Sequence, residues 1–214
     1  MKQGSRIWFY LVIVVATAGL LAWGMEFYTH RLADLPVYGP KEKIGGEEKA
    51  FVIPPFELTS QDGGAFSSAV TAGKVTVTNF FFTSCPSICP RIMRNLQSVH
   101  ELYRNDPDVM ILSITVDPLR DTPERLLKYS ENLNASTQQW RFLTGEKKGI
   151  YSLARHGYFL TASEGDGGEY DFIHSENIVL VDAIGQIRGY YNGLDAKSMN
   201  QLSEDIAKLK KDKS

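Results

Sequence analysis

Residues 7–25 contain no Asp, Glu, Lys, Arg or His, and a run of that kind restricts a chain more than any motif within it. At about 1.5 Å of rise per residue, a helix of this length spans roughly 28 Å, close to a hydrocarbon core of about 30 Å. Trp8, Tyr10 and Trp23 stand near its ends, where amphipathic rings favour a membrane–water interface. Lys2 and Arg6 precede the run and Glu26 follows it. The positive-inside bias therefore keeps residues 1–6 as a cytoplasmic tail and sends everything after Met25 across the bilayer. A cleaved signal peptide is the alternative, since Ala22-Trp23-Gly24 offers a small-x-small site. The run is longer than a usual signal core, which favours a single uncleaved transmembrane anchor at 7–25. No cysteine follows it closely, so a bacterial lipid anchor at such a residue is not expected. Six leading residues are too few for an organelle transit peptide. The expected setting is a bacterial inner membrane, with the remaining domain facing the periplasm or outer side.

Residues 26–50 carry Pro36, Gly39, Pro40, Gly45, Gly46 and mixed charges with little apolar periodicity, and are expected to be a tether without a core. From Phe51 onward the pattern becomes that of one folded domain, 51–211, with 212–214 as a tail. Phe56-Glu57-Leu58-Thr59, the turn Asp62-Gly63-Gly64 and Ala65-Phe66-Ser67 predict an N-terminal β-hairpin. Residues 75–82 read as a buried strand, followed by a turn and a helix patterned on Ile92, Leu96, Val99 and Leu102. A second strand is predicted at 109–116 and a helix at 122–133 opened by Thr122-Pro123-Glu124. A short helix at 149–157, strands at 178–181 and 187–191, and a last helix at about 196–209 complete the order. Strand and helix alternate first and a strand pair follows, which predicts an α/β domain with a mixed sheet and helices on both faces. With 23 basic against 25 acidic residues, the chain has no overall basic field for nucleic acid.

The two cysteines of the chain lie four apart in Thr83-Ser84-Cys85-Pro86-Ser87-Ile88-Cys89-Pro90, at the mouth of the strand-to-helix turn. A helix beginning near Pro86 would put Cys85 and Cys89 on one face. Its N-terminus favours negative charge, which lowers a thiol pKa and serves both metal binding and disulfide exchange. Two thiolates suit a soft ion such as Cu(I), and an imidazole would add a third ligand that either oxidation state of copper accepts. Of the four histidines, His30 falls in the tether, while His100 and His156 lie in helical patterns and read as ordinary surface or packing residues. His174 precedes the strand at 178–181 on a segment that could reach the cysteine end, and from pattern alone it is as open to a ligand role as to none. The acidic loop Glu164-Gly165-Asp166-Gly167-Gly168-Glu169 lacks the ligand order of a calcium loop and reads as a solvated loop.

The chain resembles the Sco/SenC family, thioredoxin-fold copper proteins that help load the binuclear copper centre of cytochrome c oxidase. Beside the cysteine segment, the match is carried by Val116-Asp117-Pro118-Leu119-Arg120-Asp121-Thr122-Pro123, by Trp140-Arg141-Phe142-Leu143-Thr144-Gly145, and by His174 before a strand. The resemblance implies a thioredoxin-like sheet and a copper site of Cys85, Cys89 and His174. It also implies Asp117 beside that site or facing a partner, although an acidic residue ending a strand is often a turn former. Ordinary thioredoxins carry a cis-proline facing their cysteines, and no proline occurs here after Pro123; His174 is expected near that place.

Two functions follow. One is a copper chaperone serving the copper-centre subunit of cytochrome c oxidase. The other is a thiol-disulfide reductase, in which Cys85 and Cys89 keep the client's copper-site cysteines reduced, fed by a thiol reductant. A thiol peroxidase is weaker, because no peroxidase signature surrounds the pair.

Overall fold

The computed structural model describes residues 8, 13, 15–21, 23, 35–44, 47–135, 138–160 and 175–211. His30, His174 and the acidic loop 164–169 lie outside the described residues. Of the uncharged run, residues 8, 13, 15–21 and 23 are described, helical and exposed. Among the described residues no helix is long and apolar enough to cross a membrane.

In chain order the folded domain consists of β1 (Lys41–Ile44), β2 (Glu47–Ala50), β3 (Glu57–Ser60), β4 (Ala65–Ser67), β5 (Val75–Phe81), α1 (Cys89–Tyr103), β6 (Val109–Thr115), α2 (Pro123–Asn132), β7 (Trp140–Thr144), α3 (Lys147–Ser152), β8 (Asn177–Val181), β9 (Ile187–Asn192) and α4 (Ala196–Lys211). β3 to β9 form one seven-stranded sheet in the order β4-β3-β7-β6-β5-β8-β9. β5, β6 and β7 run parallel, and β3, β8 and β9 join antiparallel to their inner neighbours. Every residue of β5 and β6 is buried, as strands covered on both faces require. β9 alternates between buried and half-buried positions.

The alternation within each strand sorts the two cores. Phe80, Leu112, Ile114 and Val179 face α3 and the wide turn Leu153–Gly157 that prolongs it, against Tyr151 and Tyr158. The opposite face carries α1, α2 and α4. There the Trp140 ring lies 5.5 Å from His100 of α1, and Tyr129 of α2 packs 5.6 Å from Phe81 and 6.0 Å from Phe142. Under α1, Trp140 Nε1 donates to Ser113 Oγ at 2.9 Å, which donates to Asn79 Oδ1 at 2.6 Å. Three adjacent strands are thereby linked through side chains as well as backbone. This is the mixed sheet with helices on both faces that the pattern predicts and the thioredoxin-like arrangement that the resemblance implies, and the β3–β4 pairing supplies the expected hairpin.

Three details differ from expectation. Within the stretch expected as a tether, β1 and β2 pair as a small hairpin. The Tyr38 N–H donates to the Ile187 carbonyl at 2.9 Å, Arg188 Nε donates to the Pro36 carbonyl at 3.2 Å, and the Tyr38 ring meets Tyr190 edge-on. β7 is a central strand where only a motif was legible. On α1, Leu102 is 64% exposed while Met93 and His100 are fully buried beside Ile92, Leu96 and Val99, so the buried stripe is turned slightly from the one the spacing indicated. Replacing Leu96 by alanine is expected to lower stability by about 2–5 kcal/mol, whereas Leu102→Ala stays within about 0.5 kcal/mol. Urea unfolding of the two variants checks this, and equal losses would contradict the packing of α1.

Candidate metal and thiol site

The site lies outside the carboxyl ends of the parallel strands, where open α/β sheets gather their ligands. β5 ends at Phe81, and Cys85 N–H donates back to the Phe82 carbonyl at 3.3 Å, closing a turn before the helix. α1 then begins at Cys89, three residues later than the sequence indicated. The physical reason is Pro90. It sits in the first turn of the helix, where a missing N–H costs nothing, and the N–H groups of Arg91 and Ile92 donate to the Ile88 carbonyl at 3.0 and 3.1 Å. Cys85 and Cys89 therefore do not meet as neighbours on one helical face. Cys85 arrives from a loop that folds over the helix start.

Both cysteines are free thiols and both are buried, but their electrostatics diverge. Burial pushes the Cys85 thiol up, yet the backbone N–H groups of Cys89, Ser87 and Ile88 converge on its sulfur and hold it below the ordinary thiol value. The Ile88 and Cys89 N–H groups are donors that the start of a helix leaves unpaired, and Ser87 adds one from the loop before it. Cys89 has lost more solvent. Burial pushes it up to about 12, and the neighbouring Cys85 adds to the rise. The pair thus comprises one thiolate-prone sulfur and one held protonated.

Asp117 closes the turn after β6. Its carboxylate accepts from Arg120 Nη1 at 3.2 Å, its carbonyl accepts from the Arg120 and Asp121 N–H groups, and its own N–H donates to Thr115 Oγ1. His100 is buried against Trp140, while His156 is exposed with Ser152 Oγ 3.4 Å from its Nδ1. Neither histidine is brought to the cysteines by these contacts. Among the described residues there is no cluster of three His, Cys, Asp or Glu side chains able to hold a metal; His174 lies outside them. The strand after it begins at the relevant end of the sheet, since Ile178 pairs with Asn79 of β5, and Gly193 N–H donates to the Glu176 carbonyl at 2.9 Å.

Sequence reasoning missed two neighbours. Tyr129 is pushed up to about 12 by burial, with the charges of Cys89, Cys85 and Asp121 adding to it, which sets its phenol beside the pair. The spacing from Leu126 to Tyr129 and Ser130 on α2 is the signal that would have turned it inward. Asp121 is fully buried. Alkylation of the reduced chain, followed by mass spectrometry, is expected to label Cys85 with a midpoint below that of an ordinary thiol and to leave Cys89 unlabelled near neutral pH. The reverse order would contradict the assignment of the two sulfurs.

The SCO1/SenC family model matches residues 45–211. An SCO2-like protein of Rickettsia prowazekii is 34% identical over 171 residues, covering 78% of this chain and 78% of its own length. Among solved structures, BsSco, described as a member of the Sco family of cytochrome c oxidase assembly proteins with a disulfide switch, superposes with a TM-score of 0.64 at 28% identity, covering 75% of this chain and 94% of that one. Copper-bound ScoI of Bradyrhizobium japonicum gives 0.60 at 26%, covering 74% and 99%. With the match spanning both cysteines and nearly the whole folded domain, the chain belongs to the SCO1/SenC family.

Proposed function

We propose that this chain is a membrane-tethered copper chaperone that delivers copper to the copper-centre subunit of cytochrome c oxidase. The observation that carries the reading is the convergence of two buried thiols on the start of α1, in a family of oxidase assembly proteins with a copper-bound member. Two thiolates match a soft ion, and helix N–H groups offset the negative charge they bring. His174 is the proposed third ligand. Three protein ligands leave a position for a client's thiolate or imidazole, so copper passes by ligand exchange without release as a free ion. Binding requires Cys89 to give up the proton that burial favours, and affinity accordingly rises with pH.

Residues 7–25 are the proposed single-pass anchor, which holds the domain on the outer side of a bacterial inner membrane. Confinement to that surface raises the effective concentration of a membrane-bound client.

The unequal thiols also favour a second reading, a thiol-disulfide reductase. The Cys85 thiolate attacks a client disulfide, the S–S bond breaks, and one client sulfur leaves as a thiolate. Cys89, on losing its proton, then attacks the mixed disulfide and releases the second client thiolate, leaving Cys85 and Cys89 joined. A thiol reductant restores the pair.

Copper titration of the reduced chain separates these readings. One copper per chain is expected in the native sequence and none in Cys85→Ser, while His174→Ala loses tight binding yet retains client-disulfide reduction. Unchanged binding in His174→Ala removes the histidine from the site. Deleting residues 1–25 is expected to move the protein from the membrane fraction to the soluble fraction, and retention in the membrane overturns the anchor.

A further inference from the structure

Beside the cysteine loop lies a carboxylate on which three hydrogen-bond donors and a guanidinium converge. Asp121 is fully buried. Its Oδ2 accepts from the Thr83 N–H at 3.0 Å and from Thr115 Oγ1 at 2.6 Å. Its Oδ1 accepts from Thr83 Oγ1 and lies 3.6 Å from Arg125 Nε, which itself donates to Thr83 Oγ1 at 2.7 Å. The directions are fixed by chemistry. Thr115 Oγ1 already accepts from the Asp117 N–H, so its hydrogen is free for the carboxylate. The Thr83 hydroxyl accepts from Arg125, which leaves its own hydrogen for Oδ1.

The consequence is geometric. Thr83 stands two residues before Cys85, immediately after β5 has given up its sheet partners. With both its N–H and its hydroxyl on Asp121, it ties the loop to the end of β6 through Thr115 and to α2 through Arg125. An amide in place of the carboxylate would present one oxygen and one donor to a site where only acceptors fit, and would leave Arg125 without its counter-charge. Partners just behind metal ligands orient those ligands in this way.

We propose that Asp121 is a positioning residue for the thiol pair: through Thr83 it holds the loop that lays Cys85 over the N-terminus of α1. The copper consequence rests on the chaperone reading above, whereas the loop consequence does not.

The test uses the full chain in detergent, reduced, with Asp121→Asn, Thr83→Val and, as a control, Asp205→Asn. Asp205 is also a buried carboxylate, held by the Tyr191 hydroxyl, Gln201 and Lys208 on α4, remote in sequence and contacts from the cysteine loop. Hydrogen exchange of residues 83–89 is expected to accelerate by about tenfold in Asp121→Asn and Thr83→Val. Exchange in α4 stays as in the native chain. Cu(I) affinity, by competition with a chromogenic chelator, falls about 10- to 100-fold, and the thiolate-to-copper absorption band seen on adding Cu(II) shifts. Asp205→Asn gives the opposite pattern, with faster exchange in α4 and a native copper spectrum. Native exchange at 83–89 in both site variants overturns the proposal, as does an equal change in the control. Should Asp121→Asn fail to fold, Thr83→Val decides by the same criteria. A native chain that binds no copper overturns the chaperone reading alone, and the exchange pattern still decides the role of Asp121.

Discussion

The unpaired N–H groups at the start of α1 are the constraint from which the rest of the site follows. A helix begins with donors that have no acceptor inside it, and here Cys85 sulfur takes that place, held below its ordinary pKa although it is buried. For this to happen, the helix start must stay fixed relative to the loop before it. α1 is pressed on the sheet by Ile92, Met93, Leu96 and Val99, and Asn95 Nδ2 ties it to the Gly193 carbonyl at 2.7 Å. β5 is locked on both edges and both faces. The thiol chemistry is therefore a property of the packed sheet and not of the cysteine motif alone.

The same geometry explains why two cysteines four residues apart differ so much. Cys85 faces backbone donors from the loop side, while Cys89 is part of the helix and has lost more solvent, so that burial outweighs the Phe82 and Cys89 backbone N–H groups that favour its thiolate. Tyr129 lies close enough for the charges of both sulfurs and of Asp121 to push its phenol further up. One sulfur is held toward its thiolate form, and the other toward the neutral thiol.

Much of the framework was legible in the sequence, and the reason is patterning. β5 and β6 stand out as β-branched runs, α2 announces itself with Thr122-Pro123, and Thr122 does cap it by accepting from the Arg125 N–H. β7 was not legible as a strand: five residues mixing Trp140, Arg141 and Thr144 have no clean period, and its strand state comes from β3 and β6 on either side. β1 and β2 were hidden because Lys and Glu residues pairing across a hairpin look like a solvated charge run. At the site, the proximity of Cys85 and Cys89 was legible, but the start of α1 was not, because Pro86 and Pro90 are both permissible openings. Asp121 is legible only as part of a motif, since nothing in one sequence separates a buried carboxylate from the turn former four residues before it.

The far edge of the sheet carries a different lesson. β9 is an edge strand, and exposed N–H and C=O groups along such a strand template pairing with another copy. The residues leading into the domain partly occupy that edge, through Tyr38 on Ile187 and through Arg188 on the Pro36 carbonyl, while the opposite edge, β4, is only three residues long. Pro36 to Tyr38 thus act as a sheath as well as a connection. Covered in this way, the β9 edge offers fewer open backbone groups to a second sheet.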